Sequence, residues 1–406
     1  MLTDGQLEKI KALQGKCVVL GGGSLIALLV IGLLTGTTFQ GLLIGFLCVF
    51  GLGISGLGLV MLHHLCGGSW SFVAQRIAEA ASRTLPFLCA TGVVVVLGGA
   101  WFSNIYPWAN AAFLELPENE YIATMTKLKE HFLNFNMFAL CYFVYFGLWL
   151  VMMYFFNAWS MKLDATGDPK YIGKMKVWAG FGCLAYVISM TFAATHWGMS
   201  TDPTFFSTIY GAWMIAGYAL TMMCFCVIAL TSLGNEGPLA EKLSSQIYHH
   251  FGNLMLGFTI FWSYLSFSPF LIIWNGNLPE EIGWYLHRSG PLTILTIVLI
   301  GAVWFAPMWW LLMRPNKTNP NKLRKIAIYI LATRVLDVYW NVAPSFENNH
   351  ATINVPTVIA SLLGVAGIGA LWLWVFLHEL KKRPILPQQD PRAELMFLKE
   401  KAHSHA

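Results

Sequence analysis

Apolar residues in this chain come in long blocks, not in the period of 3.6 or 2 that marks half-buried helices or strands of a soluble core. A helix needs about 20 mostly apolar residues to cross a bilayer. Ten blocks fit: Cys17–Leu34, Gly41–Leu62, Thr84–Phe102, Phe132–Asn157, Val177–His196, Phe205–Leu233, Phe251–Trp274, Leu292–Met313, Ile326–Trp340 and Val358–Leu377. The ninth is the least apolar, because Arg334 and Asp337 interrupt it. The pattern predicts an all-α integral membrane protein with about ten transmembrane helices. It forms one polytopic domain over residues 1–406, with a short N-terminal segment 1–16 and a short charged tail 381–406.

Composition agrees. Only 11% of the residues are charged and 56% are hydrophobic, where a soluble domain carries roughly 25% charged residues. A soluble protein so poor in charge would expose apolar surface that water does not tolerate. A soluble enzyme, a disordered chain and a nucleic-acid binder are therefore excluded. Asp4 and Glu8 break any basic leader region and no small-residue cleavage site follows the first block, so no signal peptide is expected.

Charge placement sets the orientation. Lys and Arg concentrate on cytoplasmic loops. The N-terminal segment, the even-numbered loops and the tail hold 21 of the 25 Lys and Arg. Both termini are expected in the cytoplasm. Acidic residues mark the outer loops: Glu115, Glu118, Glu120 and Glu130 in one, Glu280 and Glu281 in another. No loop is long enough to fold as a separate domain.

The glycines read as packing residues. Gly51-Leu-Gly-Ile-Ser-Gly56 matches a dinucleotide-binding pattern, but no strand precedes it. With Gly41 and Gly45, and with Gly364, Gly367 and Gly369 in the last span, it suits close helix contact. The eight cysteines form no C-x-x-C or C-x-x-C-H pattern and read as small helix residues. No metal site is expected.

Few residues can carry chemistry. Arg334 and Asp337 stand one turn apart on one helix face and can pair. They fit either a packing ion pair or a proton relay: a lone carboxylate in the bilayer prefers its neutral form, and a nearby Arg favours the ionised one. Ser263, Tyr264, Ser266 and Ser268 interleave with aromatics before Pro269, as helix-packing hydroxyls or as a relay facing the pair. His63 and His64, and His249 and His250, fall at cytoplasmic span ends. Each suits interfacial anchoring or the mouth of a proton path, since histidine titrates near physiological pH. His131, His196, His287 and His350 fall on the outer side, while His403 and His405 read as solvated. With no histidine deep in a span, a di-haem cytochrome b is not expected. Around His196, Asp202 and Trp274, polar and aromatic residues cluster at the outer edge. They suit either interface anchoring or contact with a quinone headgroup. The segment Arg76–Arg83 reads as a short, internally paired interfacial helix.

Several separated motifs carry a resemblance that covers essentially the whole chain. They are Phe261-Trp-Ser-Tyr-Leu-Ser-Phe-Ser268, Leu271-Ile-Ile-Trp-Asn-Gly-Asn-Leu-Pro-Glu-Glu281 and Arg334-Val-Leu-Asp-Val-Tyr-Trp340 followed by Pro344. To these add His63-His-Leu-x-Gly-Gly-x-Trp70 and Glu79-Ala-x-x-Arg-Thr-Leu-Pro86. Together they resemble the NrfD-like (polysulfide-reductase-anchor-like) membrane subunits of bacterial alternative complex III, and among those the smaller one. The resemblance implies two four-helix bundles plus two extra helices. It implies a chain that binds no cofactor of its own, in a complex that oxidises quinol or menaquinol. Iron–sulfur clusters and haem c would sit in periplasmic partner subunits. A sister NrfD-like membrane subunit would hold the working quinol site, and the chain would contribute proton half-channels. The departures at Leu140-Cys141, Pro269 and His196 agree with a quinol site in the sister subunit. On this reading the proton-path candidates are Asp337, Arg334, Tyr264, Ser266, Ser268, His249, His250 and His63. The quinone-contact candidates are His196, Asp202 and Trp274, and no residue is assigned as catalytic. The alternatives are a structural scaffold for the sister subunit and a secondary transporter.

Overall fold

A computed structural model describes residues 2–277, 279–346, 352–393 and 396–397. His350, His403, His405 and the side chains of Glu118, Glu280 and Glu281 lie outside the described residues. Among the described residues the regular structure is entirely helical. Ten helices are long and apolar enough to cross a membrane. They are α1 (Asp4–Thr35), α2 (Thr38–Cys66), α3 (Ser69–Phe102), α4 (Phe135–Thr166), α5 (Lys170–Thr201), α6 (Tyr210–Leu233), α7 (Ser245–Gly276), α8 (Leu292–Leu312), α9 (Pro320–Ser345) and α10 (Val355–Lys381).

The helix ends carry their own signals. The Thr3 hydroxyl accepts from the Gln6 N–H while the Gln6 side chain accepts from the Thr3 N–H, a capping box that starts α1. Asn134, Ser244 and Asn354 cap α4, α7 and α10 through their side-chain oxygens. Gly36 and Gly167 end α1 and α4 in the left-handed region, where a side chain costs energy.

An even number of spans brings the start of α1 and the end of α10 to one end of the bundle, called here the near end. Lys381 donates to Gln14 Oε1 there, at 2.5 Å. Helix α2 is the hub, buried along most of its length and packed against α3, α5, α6 and α10. Helices α2 to α5 pack together and α6 to α9 pack together, with α6 also lying on α2 and α5, while α1 and α10 pair with each other and lie on α2.

Small residues make these contacts possible. Gly41 meets the Ala360 carbonyl and Gly45 meets Gly364, so α2 and α10 touch backbone to backbone. Gly367 packs on Leu25 of α1. The glycines that mimic a dinucleotide motif do the same work: Gly51 faces the Tyr218 ring, Gly53 faces Leu88, and Gly56 faces Ala78 and Ala81.

The third helix departs from the expected pattern. The chain turns at Gly67 and Gly68, with φ of 67° and 110°, and runs straight back along α2. Only glycine adopts such values without strain. The segment expected as an interfacial helix therefore lies in the first half of α3, inside the bundle. Arg76 is 2% exposed and Glu79 is 0% exposed. The helix sinks because Gly56 lets it approach α2, and because other helices neutralise its charges.

Candidate functional site

Three polar constellations lie inside this apolar framework. The first is the Arg334–Asp337 pair on α9. Arg334 Nη1 lies 2.8 Å from Asp337 Oδ2, and both side chains are buried. Asn341, one turn on, donates to the Asp337 carbonyl at 3.1 Å. The guanidinium needs room in the core, and Gly217 of α6 supplies it: any side chain there would collide with the Arg334 head. On another side Arg334 lies over the Trp262 ring, 5.3 Å from its centre. A cavity of about 170 Å³ adjoins Arg334, bounded by Cys48, Tyr218 and Thr221 among apolar residues of α2, α6, α9 and α10.

The second constellation is at the near end. Glu79 accepts from Arg76 Nη1 at 2.6 Å, Gln75 Nε2 at 2.9 Å and Ser160 Oγ at 2.6 Å, and Arg383 Nη1 stands 3.3 Å away. Arg76 also pairs with Asp164 of α4. Arg83 donates to Glu379 Oε2 at 2.9 Å and to Asn157 Oδ1 at 2.8 Å. Three carboxylates and three guanidiniums thus link α3, α4, α10 and the segment after α10. A buried charge is tolerated where it is paired and hydrogen-bonded. Burial pushes the Arg383 guanidinium below its ordinary range, as do the like charges of Arg83 and Arg76, and Glu79 opposes them. His63 borders this network, with Nδ1 2.8 Å from Ser71 Oγ, and the His64 ring stacks on Phe156.

The third constellation is at the far end. His196 is fully buried, 3.0 Å from the Tyr145 hydroxyl and stacked on Phe132 at 4.0 Å. Asp202 Oδ2 lies 3.2 Å from His287 Nδ1. Burial raises the Asp202 carboxyl, but hydrogen bonds from His287 and Thr204 and the charge of Arg288 outweigh it, so the net shift is downward. Arg288 is spread over the Trp284 ring at 3.3 Å and donates to the carbonyls of Trp284, Trp340 and Asn341. Burial pushes its guanidinium down to about 9, against the pull of Asp202.

The residues singled out from sequence are only partly gathered. Arg334 and Asp337 meet as expected. Tyr264 is 65% exposed, on the outer face of α7, and does not face the pair. Ser266 donates to the Ser263 carbonyl at 3.0 Å, and Ser268 is half-buried on the same helix. His249 and His250 are half-buried at the near end of α7, with ring centres 6.4 Å apart. Lys317 close by donates to Asn253 Oδ1. Asp202 borders a small cleft of about 110 Å³ that also includes Phe132 and Thr195, neighbours of His196. Trp274 is 67% exposed and does not line that cleft. The cleft falls below the roughly 300–1,000 Å³ of small-molecule sites.

Reading the sequence missed the near-end network. Asp164, Glu379 and Arg383 were visible only as charges at span ends, and Tyr218 only as one aromatic in an apolar block. The available signal was coincidence: opposite charges at the near-end turns of α3, α4 and α10, beside a Gly-Gly turn. No family model matches the chain, and no curated protein matches it either.

Proposed function

We propose that this chain is a membrane subunit, holding no redox group of its own, of a quinol-oxidising electron-transfer complex of the alternative complex III type. In that role it moves protons within the membrane while partner subunits move electrons. The observation that carries this reading is the buried Arg334–Asp337 pair, 2.8 Å apart in the middle of a spanning helix. A carboxylate in that position marks an ion or proton pathway more often than an accident of sequence. The adjoining 170 Å³ cavity supports it, because Tyr218 and Thr221 give bound water hydroxyl partners next to Arg334. Asp337 takes and gives the proton, and Arg334 sets its charge state. His63 and the Glu79 network form the near-end approach, on the cytoplasmic side by the distribution of Lys and Arg.

The grouping of α2 to α5 and α6 to α9, with α1 and α10 outside, supports the NrfD-like arrangement. The partners are then a sister NrfD-like membrane subunit and periplasmic iron–sulfur and haem c subunits. The sister subunit holds the working quinol site.

A scaffold role is the second reading, favoured by the near-end network, in which every carboxylate has an arginine partner. Purification of the full chain from its native membrane in mild detergent tests the main proposal. Iron–sulfur and haem c polypeptides should co-purify, with quinol oxidation in the same fraction. Isolation of the chain alone, or with solute-transport activity, overturns it.

A further inference from the structure

A roomier cavity than those beside Arg334 and Asp202 shares its wall with two of the three constellations, through Trp262 beneath Arg334 and through Arg288 at the far end. It occupies about 480 Å³ between α6, α7, α8, α9 and the segment joining α7 to α8. That volume is within the range of small-molecule sites, and its walls are of the expected kind, mostly apolar and aromatic with a few polar groups. Trp262 and Trp213 form its inner wall, and Phe267, Phe270 and Trp304 line it further out.

Three features point to what it takes. Phe267, Phe270 and Ile300 line the cavity, are exposed, and belong to the spanning helices α7 and α8. The cavity therefore opens sideways, toward lipid, and its occupant must dissolve in the bilayer. Next, the polar groups on its wall are hydroxyls, indole N–H groups and one guanidinium, among them Tyr285, Thr293, Thr296, Ser266 and Arg288. Among the described residues no carboxylate lines it. Such a lining selects a head with acceptor oxygens and disfavours a cationic one. The Tyr285 and Thr293 hydroxyls make no hydrogen bond to another described residue, so both are available as donors. Finally, α8 leaves the regular α-helical spacing at the cavity wall. Residues Ile300–Phe305 form a π-helical stretch, and Ile300 and Trp304 of that stretch face the cavity. Short π segments within α-helices frequently mark functional sites.

We propose that this cavity is a binding site for a membrane-soluble amphiphile, with a hydrocarbon chain and a carbonyl-bearing head. The chain lies along Phe267, Phe270 and Ile300, and the head turns toward Tyr285, Thr293 and Arg288. Two bilayer molecules share that chemistry: a glycerophospholipid, through its ester carbonyls, and a prenylated quinone, through its ring carbonyls. The occupant packs against Trp262, whose ring also carries the Arg334 guanidinium. One indole therefore separates the ligand from the buried ion pair. The site stands whether or not the chain belongs to a quinol-oxidising complex.

The test uses the full chain in nanodiscs with two photoreactive probes, a diazirine-tailed phospholipid and a diazirine-tailed prenylquinone, mapped by mass spectrometry. At least one probe should label Trp304, Phe267 or Phe270 at least fivefold above Phe181 and Leu184, exposed apolar residues of α5. Which probe does so identifies the source. Ser266→Phe, which fills the cavity, should return that labelling to the α5 level. Thr293→Phe, at an exposed position, should do the same if the first variant does not fold. Labelling of the cavity residues no stronger than that of α5, or unchanged in the folded variants, overturns the proposal.

Discussion

Arg383 Nη1 lies 3.3 Å from Glu79 Oε2, so a charged residue beyond the last helix reaches a carboxylate buried in the first third of α3. The segment after α10 continues over the same place: the Gln388 N–H donates to Asp164 Oδ1 at 3.2 Å, and Phe397 packs edge-on against Phe72. A stretch that reads from sequence as a short charged tail is part of the near-end closure of the bundle.

Removing Glu79 should therefore be severe. Glu79→Ala leaves Arg76 without its partner on α3 and leaves Arg383 only Asn157 inside the bundle, and should cost about 3–5 kcal/mol. Arg383→Ala should cost less, because Arg383 is partly exposed and Arg76 still neutralises Glu79. Thermal unfolding in detergent, followed by tryptophan fluorescence, measures both. A Glu79→Ala protein that melts with the wild type would show that the network contributes nothing to stability.

The Arg334–Asp337 pair separates the proton reading from the scaffold reading. Asp337→Asn keeps the shape and loses the titratable group. In an assembled complex in vesicles it should slow quinol turnover at least tenfold, or uncouple proton uptake from it. Assembly must first match wild type by size-exclusion chromatography. Wild-type turnover and proton stoichiometry together would make Asp337 structural.

Gly217 should tolerate nothing larger. A Cβ at this position would overlap the Arg334 guanidinium. Gly217→Ala should displace Arg334 and cost about 1–3 kcal/mol, the usual scale of overpacking. Adding Arg334→Met should recover part of the loss by removing the collision. Equal melting temperatures for Gly217→Ala and the wild type would mean that the guanidinium moves freely.

At the far end, acid should release Asp202. Its carboxyl is held below the ordinary value of about 3.9, through His287 and Thr204 against the opposing effect of burial. A depressed carboxyl contributes stability that is present above the unfolded value and is lost as pH falls through the folded one. Melting temperature should therefore fall from about pH 4 downward in the wild type. The fall should be shallower in Asp202→Asn, while both proteins stay flat between pH 5 and pH 7 in this respect. Parallel acid limbs would remove Asp202 as a contributor.

Orientation is open to direct measurement. A reporter fused at Gln388, next to the near-end network, should be active only on the cytoplasmic side. Activity on the opposite side would reverse the assignment based on the Lys and Arg distribution.

Span number, helical class and the packing role of Gly41, Gly45, Gly51, Gly56 and Gly364 were legible in the residues alone. They follow from local physics: a bilayer demands long apolar helices with internal hydrogen bonds, and only small residues let such helices touch. The Arg334–Asp337 pair was legible too, because its partners are one turn apart on one helix. The near-end network was not. Its members come from α3, α4, α10 and the following segment, and nothing in local spacing says that Arg76 meets Asp164 or that Arg383 meets Glu79. The same charges at three- and four-residue spacing suit an exposed helix equally well. The Gly67–Gly68 turn and the close approach at Gly56 decided the matter by carrying that helix into the core, where each charge had to find a partner. The 480 Å³ cavity is likewise tertiary, since a void belongs to the gap between helices and to no single one of them.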